Sequence, residues 1–448
     1  MLRDYLEGRK VGWPALLLKR AALVVSGILF SVFCAAAQTC VLAQEEPDVM
    51  GIPGYKGMSM PGNWRPFNNY SYWNTVIPAG IGDHSQSYYI INDMAEKGIT
   101  LRFNGTWTTT MHVVGSKASK YQYHSSTNIY RFTHFKPDSC WNPDPDNDDI
   151  SNRAYPFIPG VTYPENMHDG RMIIIDKSAT NKYTAYEVTH GSADLDSHGH
   201  AICSNFNIWH LGYRGFVYYR PPCGSTGVPL VNGDECTPCD DYWTCAGSSG
   251  AGTPLIGGLL RPEELDNAMA APLAPDDPNY NPEVATGDGL IHHALSFCYY
   301  FNRCGPPLYP VAYRGDGSEP MTDLSKPVEG MLFQLVDPNN WLLNHMSNDW
   351  GKIVVRTLKT YGMYLVDGGS NPTSAALYLQ NMYTPNVETN VSWWNRKYPG
   401  FLASITGIRI KKDDGAPDAP YYFRVVNTES PSFHDYEARP LPEHAECP

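Results

Sequence analysis

The sequence predicts a mostly β protein, a β-sandwich or jelly roll with two or three short helices and long loops. Polar and apolar residues alternate in short runs between about 71 and 135, and 39 Gly with 37 Pro distribute turns through the 448 residues. Only 18% of the residues are charged, which excludes a long coiled coil. Aromatic residues make up 12% of the chain, which favours a packed core over disorder.

Each predicted element rests on a local pattern, taken here in chain order. Residues 71–135 contain SYYIIND, ITLRFNGTWTTTMHVV, KYQYHSS and NIYRFTHF, which predict strands. RMIIIDK and NKYTAYEV predict a hairpin within 171–188. Pro262 in GTPLIGGLLRPEELDNA predicts the first turn of a short helix. GDGLIHHALSFCYYF, at 287–301, predicts a helical turn that runs into a strand.

The clearest helix is predicted over 349–363. Its apolar face repeats every three to four residues, and Asn348 and Gly362 suit its two ends. The residues of that face are Ile353, Val354, Thr357, Leu358 and Tyr361. Further strands are predicted at 330–336, 363–370, 407–414 and 421–426.

Residues 1–43 have the pattern of a secretory signal peptide. Basic residues precede an apolar run over 21–37, and Val41-Leu42-Ala43 or Ala37 offers a cleavage site. We therefore expect a secreted or periplasmic protein with no membrane association after cleavage; an uncleaved anchor is the alternative. The remaining 44–448 are predicted to form a single β-rich extracellular domain with inserted loops at about 213–252 and 270–286.

The cysteines agree with an exported chain. Four of them lie within 23 residues and predict disulfide bonds in an oxidising compartment: Cys223, Cys236, Cys239 and Cys245. The alternative is zinc, because Cys236-x2-Cys239 has ligand spacing. The acidic loop 137–152 offers oxygen ligands for calcium, but we predict no required cofactor. A net charge of −13 disfavours nucleic acid as a partner.

The sequence contains no nucleophile elbow, P-loop or zinc-protease motif, so the candidate catalytic groups are single polar residues in suitable positions. Asp367 ends a predicted strand before Gly368-Gly369, where the backbone leaves space for a ligand. A weaker metal site is predicted where alternation places His198 and His200 on one side of an extended segment.

Several motifs, in this order, resemble one group of secreted bacterial proteins. The matching segments, spread over roughly 165–375, are RMIIIDK, GTPLIGGLLRPEEL, GLIHHALSF, YPVAYR and RTLKTYGMYLVDGGS. The group carries LPLLPGLVRYDEV, IDHALRF and RYGMILADNGS at the corresponding places. The resemblance implies secretion and a β-rich fold, and it aligns Glu264, His293, Tyr361 and Asp367 with residues of the group's motifs. Where the group has Arg-His, this chain has Tyr313-Arg314.

Three functions are open at this stage, all with an extracellular polysaccharide as partner. The first is a glycoside hydrolase that uses paired carboxylates, with Glu264 and Asp367 as the pair and His293 sharing a proton. The second is a lyase in which Tyr361 or His293 is the base and Arg314 or Arg356 neutralises a uronate carboxylate. The third is a non-catalytic glycan-binding or cell-envelope protein. Trp209 and Trp393 are predicted to contact the sugar.

Overall fold

The computed structural model describes residues 48–67, 69, 71–103, 108–125, 131–135, 154–161, 170–178, 183–189, 197–198, 201–203, 205–211, 249–305, 307–308, 311–312, 315–382, 389–410, 422–430 and 433. The predicted signal peptide and most of the cysteine-rich loop lie outside these residues, so secretion and the predicted disulfides there stay predictions. No disulfide joins two described cysteines.

The strands of the described part of the chain form two six-stranded sheets and one three-stranded sheet. They are β1 (Tyr55–Gly57), β2 (Thr100–Phe103), β3 (Thr110–Val114), β4 (Lys120–Ser125), β5 (Arg131–Phe135), β6 (Ala154–Pro156), β7 (Met172–Asp176), β8 (Thr184–Thr189), β9 (Ala201–Cys203), β10 (Asn205–His210), β11 (Leu295–Tyr299), β12 (Leu332–Leu335), β13 (Met363–Gly368), β14 (Ser374–Leu377) and β15 (Phe423–Val425).

The first sheet has the strand order β1-β3-β7-β8-β10-β5, and the second has β15-β12-β13-β11-β14-β2. Both are mixed: β3 runs parallel to β7, and β11 runs parallel to β13 and antiparallel to β14. The small sheet is β6-β4-β9. The β-rich character predicted from the sequence is therefore confirmed.

Helices are more numerous than predicted. Helix and strand account for 21% and 24% of the described residues. The α-helices there are α1 (Ser87–Glu96), α2 (Pro262–Met269), α3 (Trp341–His345), α4 (Asp349–Thr360), α5 (Asn390–Lys397) and α6 (Phe401–Thr406).

Three predicted elements are confirmed with their local causes. β7 and β8 form the predicted hairpin, with Asp176 opposite Thr184. Helix α2 begins at Pro262, which needs no N–H donor there. Helix α4 is capped by the Asn348 side chain, which accepts a hydrogen bond from the Gly351 N–H, and the chain leaves the helix through Gly362 at a φ of +75°.

The strand predicted at SYYIIND is wrong, because these residues begin helix α1. Ile90, Ile91 and Met94 are buried at helical spacing, whereas Tyr88 and Tyr89 are exposed side by side. The segment therefore has the period of a helix, and the high strand propensity of its residues does not decide its structure.

The two six-stranded sheets share an apolar core. That core takes Val113 and Ile173 from the first sheet and Tyr364 and Val366 from the second. The opposite face of the second sheet packs against helices through a separate core that includes Ile353 of α4. The edge of the shared core is where polar side chains from both sheets meet.

Candidate functional site

The predicted catalytic residues lie in separate polar clusters. β11 and β13 run side by side, with Leu295 opposite Met363 and Cys298 opposite Asp367. His293 precedes β11, whereas Asp367 lies four residues beyond Met363, which corresponds to about 13 Å along a strand. Glu264 and His293 are therefore together, and Asp367 belongs to a different part of the sheet.

Arg261, Glu264 and His293 form what we call the closed cluster. Glu264 Oε1 accepts from Arg261 Nη2 at 2.8 Å and lies 2.9 Å from His293 Nε2. Its other oxygen accepts from the Arg261 N–H at 3.0 Å, which caps α2. Arg261 also donates to the backbone oxygens of Met60 and Trp64, so it joins the N-terminal segment to the helix.

The closed cluster is nearly inaccessible to solvent, and most of its polar atoms have internal partners; among its described atoms Arg261 Nε has none. His293 Nδ1 lies 2.9 Å from the Ala294 carbonyl, so a ring that carries both protons satisfies both of its contacts. Burial acts to raise the pKa of Glu264, but the Arg261 guanidinium and then His293 hold that pKa at about 2. A carboxylate so strongly ionised is a poor proton donor. The geometry gives Glu264 and His293 a structural role.

Asp367 lies at the edge of the shared core and joins the two sheets. Its Oδ2 accepts from Arg171 Nη2 at 2.7 Å and from the Tyr378 hydroxyl at 2.9 Å. Arg171 directly precedes β7 of the first sheet, and Tyr378 directly follows β14 of the second. Asp367 is only 5% exposed, so this side of its carboxyl is fixed and dry.

The other side of Asp367 lies beside a second carboxyl, that of Asp316: Asp316 Oδ2 and Asp367 Oδ1 both border the point that a Cβ at Gly250 would occupy. We call Asp316 and Asp367 the acid pair. Asp316 is exposed, and its Oδ1 accepts from the Gly368 N–H at 2.9 Å and from Asn302 Nδ2 at 3.4 Å. The buried Glu329 in turn accepts from the same Asn302 amide and from the Asp316 N–H. The exposed member of the pair is thus held by a buried polar network.

Glycines provide the space that the acid pair occupies. A Cβ at Gly250 would approach Asp316 Oδ2 and Asp367 Oδ1 more closely than real Cβ atoms approach any neighbour. The backbone beside Gly250 is fixed by the Ala251 N–H, which donates to the Val366 carbonyl at 2.9 Å. The position therefore accepts glycine because the backbone passes directly over the two carboxyls.

The acid pair differs from the closed cluster in its proton affinity. Burial is the main cause that raises the pKa of Asp367 to about 6; Arg171 opposes the shift and Asp316 adds to it. With a pKa near 6, the Asp367 carboxyl retains its proton at mildly acidic pH. The exposed Asp316 carboxyl lies beside it. The arrangement is suited to general acid–base chemistry.

A thiol beside the acid pair is chemically inert by comparison. Cys298 is a buried free cysteine, and burial together with the nearby Asp367 raises its pKa to about 12. A thiolate nucleophile is therefore disfavoured at neutral pH.

Tyr361 lies at neither cluster. It follows α4, and its ring centroid lies 6.4 Å from that of His292. His292 Nε2 is 3.0 Å from Asp288 Oδ2, and Arg65 donates to the His292 carbonyl. Burial raises the pKa of Tyr361, although Arg65 acts to lower it. The raised pKa disfavours Tyr361 as the base that a lyase would need.

The predicted substrate-binding residues differ in how far their side chains are exposed to solvent. Trp209 is buried and donates through Nε1 to Glu187 Oε2 at 2.8 Å, so it belongs to the core and offers no face to a sugar. Trp393 is half-buried in α5, against Trp394 and Tyr398. Arg314 lies outside the described residues.

The weak metal site is only partly described. His198 is exposed, and His200 lies outside the described residues. Within the ranges that the structure describes, no group of three or more His, Cys, Asp or Glu side chains is arranged to hold a metal ion.

Asp316 is the functional candidate that sequence reasoning missed. Its signal is YRGDGSE, in which an Asp stands between two glycines, as Asp367 stands before Gly368-Gly369. The same argument about space for a ligand applies to both aspartates.

Comparisons of the chain with protein-family models, with curated proteins and with solved structures give no match. Over the described part of the chain, no helix has the length and apolar character to cross a membrane.

Proposed function

We propose that the protein is a secreted hydrolase of polysaccharides in which Asp316 and Asp367 supply the catalytic acid. The observation that carries the proposal is the acid pair itself, in which a buried and anchored carboxyl lies beside an exposed one. Asp316 is the member that meets the substrate. Asp367 is a positioning residue that keeps a proton shared with Asp316.

Our proposal differs from the sequence-based prediction in the carboxylates that it makes catalytic. Glu264, expected to be one of the pair, is neutralised by Arg261 and His293 inside the closed cluster. Asp316 replaces it as the partner of Asp367. During cleavage, the proton of the pair passes to the oxygen of the leaving sugar as its bond to the anomeric carbon breaks, water adds to that carbon, and the proton that the water loses returns to the ionised pair.

Support for a cleft at this place comes from the packing of the sheets. One face of each six-stranded sheet contributes to the shared core, which favours the sandwich predicted from the sequence. The acid pair lies where Arg171 of one sheet meets Asp367 of the other, at the edge of that core. Loops at the edge of a rigid β framework are where binding residues are commonly placed.

A second candidate is peptide hydrolysis, and the spacing of the pair favours it. The two carboxyls of a glycosidase are about 5–10 Å apart. Asp316 and Asp367 lie side by side over Gly250, which resembles the close pair that activates water in aspartic proteases. If the protein cleaves polysaccharides, the two carboxyls of the acid pair therefore act together as a single proton donor.

The test is turnover by the purified mature protein and its Asp316→Asn variant. We expect the wild type to release reducing ends from a neutral glucan or galactan, and Asp316→Asn to lose roughly 10²–10⁴-fold of that rate. The variant should keep the wild-type free energy of unfolding within about 1 kcal/mol, since Asp316 is exposed. Asp276→Asn, in the loop 270–286, is the matched control and should leave the rate unchanged.

Three other outcomes would redirect the proposal. Unsaturated ends from a uronate polymer would support a lyase. Cleavage of an unfolded protein that depends on Asp316 would support the peptide-hydrolase candidate. Binding of a glycan without turnover would support a non-catalytic glycan-binding protein.

A further inference from the structure

Tyr300 stands directly beside the acid pair. It follows Tyr299, the last residue of β11, which lies opposite Gly368 in β13. The Gly369 N–H donates to the Tyr299 carbonyl at 3.0 Å, and a Cβ at Gly369 would lie 2.7 Å from the Tyr300 nitrogen. Two residues further on, Asn302 contacts Asp316. The chain at Tyr300 therefore connects the strand beside Asp367 to the residue that holds Asp316.

The Tyr300 ring is exposed but supported. It is 40% exposed, and its centroid lies 4.8 Å from that of Phe301 in an edge-on contact. Phe301 is itself packed against Tyr299 and lies beneath the Lys97 ammonium, 5.1 Å from its ring centroid. A ring oriented before binding loses little conformational freedom when a ligand stacks on it. Tyr300 is thus an aromatic platform at the edge of the acid pair.

The charges around this platform select against an anionic polymer. Asp316, Asp367 and Glu329 are all acidic. Three of the nearby cations are paired with carboxylates: Arg171 with Asp367, and both Lys97 and Lys326 with Asp93. Arg303 donates to the carbonyls of Met321 and Lys326, and Arg102 is near enough to lower the pKa of Cys298. A uronate chain would meet repulsion at the acid pair, whereas a neutral sugar ring would not.

We propose that Tyr300 stacks on a sugar ring of a neutral polysaccharide and so determines the substrate specificity of the acid pair. The inference rests on the proposed function and deepens it by naming the substrate class. The ring offers an apolar face to the C–H face of the sugar, and the Tyr300 backbone borders Gly369, two residues after Asp367.

Binding is measured separately from turnover so that the two proposals can fail independently. Affinity electrophoresis of the Asp316→Asn protein uses hydroxyethylcellulose and galactomannan as neutral probes, with polygalacturonate as the anionic probe. Added to this background, Tyr300→Ala should weaken binding to a neutral probe about 5- to 10-fold. Tyr300→Trp and Tyr300→Phe should stay within about 2-fold, because stacking needs the ring and not the hydroxyl.

Tyr88→Ala is the matched control, since Tyr88 is another tyrosine with an exposed ring, on helix α1. Any of four results overturns the inference. The first two are that Tyr300→Ala binds as well as its parent, and that Tyr88→Ala loses as much binding as Tyr300→Ala. The other two are that the protein binds polygalacturonate more tightly than the neutral probes, and that it binds neither neutral probe. If binding depends on Tyr300 but Asp316→Asn does not alter turnover, the inference stands and the catalytic proposal fails. If turnover depends on Asp316 but binding does not depend on Tyr300, the catalytic proposal stands and the inference about Tyr300 fails.

Discussion

Two buried carboxyl groups of this protein, Glu264 and Asp367, have opposite electrostatic environments. Both are at most 5% exposed. The pKa of Glu264 is about 2, because Arg261 and His293 overcome the effect of burial, whereas burial and Asp316 raise the pKa of Asp367 to about 6 against a single arginine. The partners of a buried carboxyl, rather than its burial, decide whether it can exchange a proton near neutral pH.

The two carboxyls also differ in whether their contacts serve the fold or leave an oxygen near the surface for chemistry. Glu264 caps α2 and contacts the Arg261 guanidinium and the His293 ring, so these contacts serve the fold. Asp367 has one fixed oxygen and one that faces an exposed carboxyl. A group that serves only the fold should affect stability when it is changed, and a group that shares a proton with the surface should affect activity.

The largest expected effect is on stability, from Glu264→Gln. Removing this charge leaves Arg261 and His293 buried without their counter-ion, so the free energy of unfolding should fall by about 3–5 kcal/mol. Chemical denaturation at neutral pH measures the change. Glu96→Gln, at an exposed position at the end of α1, should change stability by less than about 0.5 kcal/mol. A loss in Glu264→Gln no larger than in Glu96→Gln would show that the closed cluster does not stabilise the fold.

The pH dependence of stability should differ in sign between the two carboxyls. Glu264 has a lowered pKa in the folded protein, so its contribution is present above pH 4.5 and is lost as the pH falls towards 2. Asp367 has a raised pKa, so its contribution is present below pH 3.8 and is lost as the pH rises through about 6. Each change is on the order of 2–3 kcal/mol.

The measurement is the difference in unfolding free energy between the wild type and Glu264→Gln or Asp367→Asn, taken across this pH range. The difference removes contributions common to both proteins, such as that of His112, whose pKa burial lowers to about 4. Two difference curves with slopes of the same sign would contradict the comparison.

A smaller effect is expected from Gly250→Ala. The Gly250 backbone passes directly over the two carboxyls of the acid pair, so a side chain there disturbs them. The added Cβ would collide with both carboxyls, so we expect a stability loss of about 1–3 kcal/mol together with a loss of turnover. Gly82→Ala is the control, because a Cβ there meets nothing within 4 Å. Full turnover by Gly250→Ala would show that the pair does not need its observed spacing.

Local patterns predicted much of the fold and less of the site. The β7–β8 hairpin, the Pro262 start of α2 and the limits of α4 follow from turn chemistry, capping and apolar period, which are all local. Helix α1 was missed because Tyr and Ile favour strands, while the helical burial of Ile90, Ile91 and Met94 depends on contacts distant in sequence.

The site could be predicted only in part, because its members come from distant segments. Asp367 was selected from its position before two glycines, and it is in the acid pair. Its partner Asp316, 51 residues earlier in the chain, and its anchor Arg171, 196 residues away, meet it only through the packing of the two sheets. Glu264 carried a similar local signal, but the arginine three residues before it makes it structural.

The most direct test of the central claim is carbon NMR titration of labelled aspartate carboxyls in the wild type and in Asp316→Asn. We expect one aspartate in the wild type to titrate near pH 6. In Asp316→Asn this titration should move to lower pH, because the neighbouring charge is removed. If every aspartate titrates near the ordinary value of about 3.9, or if the titration near pH 6 is unchanged in Asp316→Asn, the two carboxyls do not share a proton and the acid assigned to this site is wrong.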